Sequence, residues 1–182
     1  MASFLVVITE DIMKVNVKFA KVRPDAKIPS KRVEDMGYDI YACFDEDYIV
    51  INPHETKLIP TGIASACDPG YGFLLFERGS TGSKGIARRC GVIDSGYRNE
   101  WFVGLTNTTN KVMFISKLSE RETYESYYGD IMPESFVYPY SKAIVQAWVA
   151  PVLDTEVEEL EYSDLKEIKS ERGLGALGSS GK

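Results

Sequence analysis

The chain has 182 residues, 44% of them hydrophobic, which suits one globular domain with a sizeable core. A formal net charge of −6 argues against the basic face of a nucleic-acid binder, although a few local Arg and Lys residues suffice for phosphates. Cys43, Cys67 and Cys90 are odd in number and lack metal-type spacing, and the single histidine, His54, sits in the turn-like stretch NPHETK; a reduced, cytoplasmic chain without a His-based site is expected.

In chain order, the N-terminal FLVVI run is five residues long and is followed at once by acids, which fits neither a signal peptide nor a membrane span. Short β-type runs then dominate: YIVI, KLIPTGIASA, GYGFLLFE, EWFVGL, VMFIS and AIVQAWVAPV, separated by Pro, Gly, Asn and Asp. The best helical stretch, SDLKEIKSE, is short and mostly charged. Many short strands without alternating helices predict an all-β sandwich, jelly roll or barrel.

Between these runs lie four segments with chemistry in them. The first, ERGSTGSKG at 77–85, joins Arg78 to glycines and hydroxyls after a strand, a composition that lets backbone N–H groups and a guanidinium close on phosphate oxygens. It lacks the order of a Walker A loop. The second, CGVIDSGYRNEW at 90–101, has two readings. It is a β-hairpin with strands to Ile93 and through Trp101 and a turn at Asp94–Gly96, or it presents Asp94 as a base and Tyr97 as a ring that packs on a substrate.

The third segment, 107–140, is polar and holds five of the eleven tyrosines between Tyr124 and Tyr140. It reads as an elaborated hairpin or inserted arm, which either covers the core and subunit contacts or offers an aromatic surface to a protein partner. The fourth, ERGLGALGSSGK, repeats the Arg/Gly/Ser chemistry in a tail from 172 to 182 that should be flexible when free. Two such elements favour a polyphosphate ligand more than either does singly.

With GYDIYA at 37–42 and AIVQAWVAP at 143–151, the order and spacing of these segments resemble the five motifs of the trimeric dUTPase family over residues 15–182. The first motif matches at Gly37, Tyr38, Asp39 and Ile40. The third matches at Gly91, Ile93, Asp94, Tyr97, Arg98 and Glu100, and the fifth at Arg172, Gly173, Gly178, Ser179, Ser180 and Gly181. The long insertion resembles that of the phage-borne branch.

The resemblance implies a jelly-roll-like protomer, with one β domain over 1–171 and a flexible active-site tail, that assembles as a homotrimer whose sites draw on several subunits. It implies hydrolysis of dUTP to dUMP and pyrophosphate with Mg²⁺ held mainly by the triphosphate. Asp94 would activate the water that attacks the α-phosphorus, and Tyr97 would exclude a 2′-hydroxyl. Gly91 and Ile93 belong to the segment whose backbone would read uracil. Asp39 would hydrogen-bond metal-bound water, and Arg78, Gly79, Ser80, Gln146, Arg172, Gly178, Ser179 and Ser180 would line the phosphate chain, with Leu177 as lid.

The second motif departs from the usual Pro-Arg-Ser at Glu77-Arg78-Gly79. Where the fourth motif usually opens Gly-Asp/Glu-Arg, the chain reads Tyr140, Ser141, Lys142, then Ala143, and Gln146 is the match there; the fifth carries Leu177 in place of an aromatic lid, and Arg88 stands where Asn is common. Deamination of dCTP on the same fold needs a carboxylate on the strand after the Asp94 turn, and WFVGLTN offers Gly104 there. A dUTPase-like regulator acting through 107–140 is the remaining alternative.

Overall fold

A computed structural model describes residues 14–129 and 134–175. The chain divides into two units, 1–152 and 153–182. The first runs through β1 (Val17–Lys21), β2 (Tyr38–Ile40), β3 (Tyr48–Ile51), β4 (Thr56–Pro60), β5 (Ile63–Cys67) and β6 (Tyr71–Phe76) to a single helical turn, α1 (Gly79–Gly82). It continues through β7 (Ile86–Arg89), β8 (Val92–Asp94), β9 (Phe102–Asn107) and β10 (Val112–Ser116), then crosses by α2 (Glu120–Tyr128) to β11 (Ser135–Pro139) and ends on β12 (Val145–Pro151). The second unit holds α3 (Tyr162–Glu167), and each of its described residues is exposed.

The strands pair as β1–β5, β11–β10–β3, β2–β12–β6–β8 and β4–β9–β7, an all-β, jelly-roll-like arrangement. Every pair is antiparallel except β10–β11. The core between the sheets is apolar and aromatic: Trp101 is fully buried and meets Phe73 edge-on at 5.0 Å and Phe19 at 5.8 Å. Burying rings of this size contributes about 1.5–3 kcal/mol each from area alone. One buried polar group pins the sheet ends. Asn107 Nδ2 lies 3.0 Å from Ile51 O, 3.2 Å from Asn52 O and 2.7 Å from Lys111 O, tying β9 to the end of β3 and the start of β10.

Two sequence expectations change. The segment 90–102 is not a hairpin, because β8 pairs with β6 while β9 pairs with β4 and β7 in another sheet. Trp101 marks the crossing: its side chain is buried and its backbone N–H donates to Ile63 O of β5 at 2.8 Å, which leads the chain away from β8 before β9 begins. Strand, turn and strand are all present, but they form an arch between sheets.

The segment 107–140 has β10 and β11 at its ends, with Met113, Phe114, Ile115 and Tyr138 in the core. The part outside the sheets is therefore 117–134. Parallel strands need a crossover at least as long as the strand itself, about 17 Å here, and α2 supplies part of it. Ser119 caps α2: its Oγ accepts from Glu122 N at 3.3 Å while Glu122 Oε2 accepts from Ser119 N at 2.9 Å. Tyr124, Tyr127 and Tyr128 of α2 all meet the Phe114 ring, at 6.0, 5.1 and 5.9 Å. Much of the tyrosine density is thus used for packing the crossover onto β10.

Candidate active site

The polar cleft of the first unit is built by strand register. Asp39 on β2 stands opposite Gln146 on β12, and Gln146 stands opposite Phe76, the last residue of β6. Two residues on, Arg78 turns back over the strand ends. Its guanidinium grips the Asp39 carboxylate with Nε 2.9 Å from Oδ1 and Nη2 3.3 Å from Oδ2, and Nη1 donates to Ser80 Oγ at 3.2 Å. The resulting cavity of about 980 Å³ is lined by Asp39, Tyr41, Arg78, Ser80, Lys142 and Gln146, among others. Gly79 also lines it, on the helical turn that Thr81 closes by accepting from Arg78 N at 3.0 Å.

Neighbouring residues hold this cleft in shape. Gln146 Nε2 donates to Glu77 O at 2.9 Å. A Cβ at Gly37, just before β2, would stand 3.0 Å from both Gln146 and Trp148, so a larger residue there would press on β12 beside the cleft. Glu77, which departs from the family pattern, accepts from Arg88 N at 2.9 Å. Burial opposes the Glu77 charge, but that hydrogen bond, its own N–H and the Arg88 and Arg89 charges outweigh it and hold the carboxyl below its ordinary pKa. This contribution to stability is present above the ordinary carboxyl pKa and is lost as pH falls through the depressed folded value. The Tyr41 hydroxyl is pushed upward by burial and then by the Asp39 carboxylate, with Arg78 partly offsetting them.

A second, smaller pocket of about 260 Å³ lies at the arch and is lined by Leu58, Val92, Ile93, Asp94, Tyr97 and Phe102, with Cys90 at its edge. Asp94 ends β8, is exposed, and its carboxylate has no hydrogen bond or ion pair among the described residues. Tyr97 donates its hydroxyl to Glu100 O at 3.0 Å, which anchors the far end of the ring and leaves its face open. Arg98 Nη1 staples the turn to Ser95 O, Tyr97 O and Ser65 O. Glu100 accepts from Gly62 N at 2.8 Å and pairs with Arg23 at 3.3 Å. Arg98 and Glu100 thus brace the arch. Arg88 packs against Gly91 so closely that a Cβ there would stand 2.1 Å from Nη1.

The structure gathers Asp39, Arg78, Gly79, Ser80 and Gln146 in one cleft and Ile93, Asp94 and Tyr97 in another, and it does not join the two within one chain. Asp94 faces Gly72 on β6, four residues from Phe76, and β8 is three strands from β2. With about 4.8 Å between strands and 3.3 Å per residue, Asp39 and Asp94 are about 20 Å apart. Arg172 belongs to the second unit, where its Nε donates to Gly175 O at 3.1 Å. Leu177, Gly178, Ser179 and Ser180 lie outside the described residues. Tyr41 and Lys142 line the cleft without having been singled out as site residues in the sequence. The period-two spacing of Asp39 and Tyr41 on one strand face was the available signal for the former.

A family model described as dUTPase matches residues 25–120. The deoxyuridine 5'-triphosphate nucleotidohydrolase of Nautilia profundicola is 32% identical over 179 residues, 93% of this chain and 100% of that protein. The enzyme of that name from Neisseria meningitidis is 30% identical over 149 residues, covering 80% and 81%. Among solved structures, the dUTPase of Staphylococcus bacteriophage 80alpha with dUPNHPP aligns with a TM-score of 0.68 at 22% identity, over 92% of this chain and 99% of that one. The dUTPase of phage phi11 of S. aureus, whose structure visualises a species-specific insert, aligns with a TM-score of 0.60 at 20% identity, over 80% and 96%.

Proposed function

The chain belongs to the dUTPase family, and on that premise we propose that it hydrolyses dUTP to dUMP and pyrophosphate with Asp94 as general base. The observation that carries the residue assignment is the arch: an exposed carboxylate with no described partner stands at the end of β8, beside a ring whose hydroxyl is tied down, in a mostly apolar pocket. Asp94 takes a proton from water, the water oxygen bonds to the α-phosphorus, and the bond to the bridging oxygen breaks to release pyrophosphate. The Tyr97 face packs on the deoxyribose and leaves no room for a 2′-hydroxyl. Ile93 and the backbone near Gly91 face the base.

Arg78, Gly79, Ser80 and Gln146 receive the phosphates. For Arg78 this means exchanging the Asp39 carboxylate, which it holds through two contacts with both side chains about a third exposed, for phosphate oxygens that accept the same charge-assisted hydrogen bonds. Asp39, once released, would hydrogen-bond water carried by Mg²⁺. The donor set fits a metal that arrives on the nucleotide, since Asp39 is the carboxylate held among the phosphate-reading groups Arg78, Ser80 and Gln146 and Mg²⁺ keeps several waters. When bound, the metal neutralises phosphate charge.

Since Asp94 and Arg78 do not meet in one chain, each site is completed by another copy, in keeping with a homotrimer. Arg172, Leu177, Gly178, Ser179 and Ser180 close over the phosphates as a tail. A panel of dUTP, dCTP, dTTP and UTP with product identification tests the reaction: dUMP and pyrophosphate from dUTP alone are expected. A uracil product from dCTP would transfer the site to deamination.

Two further outcomes are expected. Tyr97→Ala should weaken dUTP and narrow its preference over UTP in a competition assay. Unchanged discrimination would mean that another group reads the sugar. A chain ending at Ser170 should keep its oligomeric state and its dUMP affinity, since the described residues that it loses, 171–175, are all exposed. Its dUTP turnover should fall at least about tenfold as phosphate contacts and water exclusion are lost. Full turnover in the truncated chain would reduce the tail to a linker.

A further inference from the structure

We propose that Lys142 is a phosphate-binding residue that recognises the outer phosphates of the nucleotide; the inference rests on the hydrolase reading above. It is argued from the charges of the cleft and not from the family resemblance, in whose fourth motif only Gln146 matches.

The argument starts from which charges in the large cleft are already committed. Its cations are Lys31, Arg32, Arg78 and Lys142, and its carboxylates are Glu34, Asp35 and Asp39. Arg32 holds Asp35 through Nε at 2.9 Å and Nη2 at 2.8 Å, Lys31 Nζ donates to Asp35 O at 2.8 Å, and Arg78 holds Asp39. Among the described residues, no ion pair or side-chain hydrogen bond engages Lys142. It is also the residue that sets the sign of the cleft. Four cations against three carboxylates leave one positive charge, and without Lys142 the cleft is neutral. Lys142 thus brings to an entering polyphosphate a positive charge that no carboxylate of the cleft already holds.

Its backbone is fixed beside Arg78. Lys142 N donates to Pro139 O at 3.0 Å. The next carbonyl, Ala143 O, accepts from the buried Tyr138 hydroxyl at 2.7 Å and from Arg78 Nη1 at 3.4 Å. The ammonium thus swings from a held base one residue away from a group that reads phosphate. An ammonium serves there as a mobile point charge. The outer phosphates are its target, because the residues assigned to the reacting phosphorus and the sugar line the other pocket and none of them lines this cleft.

The test uses the full chain with Lys142→Gln, Lys142→Arg and Lys142→Glu. Three quantities are measured: KM and kcat for dUTP, affinity for dUMP, and calorimetric binding of inorganic tripolyphosphate with Mg²⁺. Loss of one charge-assisted contact predicts that the Gln variant raises KM and weakens tripolyphosphate roughly tenfold, with kcat within about twofold. The Glu variant should be worse, the Arg variant close to wild type, and dUMP affinity unchanged. Wild-type KM and tripolyphosphate affinity in the Gln variant would overturn the assignment. An equal loss for dUMP would overturn it too, by showing that Lys142 acts on the fold. If the wild-type chain fails to turn over dUTP, the hydrolase reading falls, and tripolyphosphate binding still decides the role of Lys142.

Discussion

Asp94→Asn should lower single-turnover dUTP hydrolysis at least about a hundredfold, within the 10²–10⁴ that a general base contributes, while affinity for a non-hydrolysable dUTP analogue stays within a few-fold. The substitution keeps shape and can still accept a hydrogen bond from water, but an amide does not take a proton. Structural damage is not expected, because the carboxylate is exposed and holds nothing in the described structure. The backbone of residue 94 is fixed independently of its side chain by the pairing of Asp94 with Gly72 and by Tyr97 N donating to Asp94 O at 3.1 Å. A folded variant that keeps more than about a tenth of wild-type turnover would remove Asp94 from the role of base.

Local information accounts for what the sequence disclosed of the fold. VMFIS is β10 residue for residue, YIVI is β3, and KLIPTGIASA resolves into β4 and β5 around Thr61–Gly62. Runs of β-branched and aromatic residues bounded by turn formers need no partner to be recognised. Pairing is different. That β8 joins β6, and that β10 and β11 run parallel, depends on contacts the local pattern does not encode. For the arch the decisive facts are the burial of Trp101 and its backbone bond to Ile63 on β5. α2 carried a readable start signal in Ser119-x-x-Glu122, but the tyrosines that follow it obscured the helical period.

The site divides along the same line. Asp94, Tyr97 and Arg78 could be singled out as candidates because a carboxylate in a turn, a ring three residues on, and an arginine among glycines are unusual combinations for packing alone, whereas Asp39 entered only through the family resemblance. That Arg78 already holds Asp39 was not legible, since the two are brought together by β12 and β6 across 39 positions of sequence. The uncommitted ammonium of Lys142 was hidden for a related reason. A lysine reads as solvated surface until the charges around it are seen to be paired.

The separation of the two pockets gives the last expectation its size. Arg78→Ala alone and Asp94→Asn alone should each be close to inactive, one lacking phosphate binding and the other the base. Dissociated together and reassembled in equal amounts, the two inactive chains should recover activity. A site that takes Arg78 from one copy and Asp94 from another is intact when the first copy is the Asp94→Asn chain and the second the Arg78→Ala chain. Random assembly into closed symmetric oligomers yields that arrangement at about one site in four. About a quarter of wild-type activity per site is therefore expected, some 25-fold or more above either parent. The expectation rests on the strand register, which holds Asp39, the partner of Arg78, about 20 Å from Asp94 within one chain. Activity that never exceeds the average of the two parents, in mixtures shown by mass to contain mixed oligomers, would mean that Arg78 and Asp94 serve the same site from the same chain.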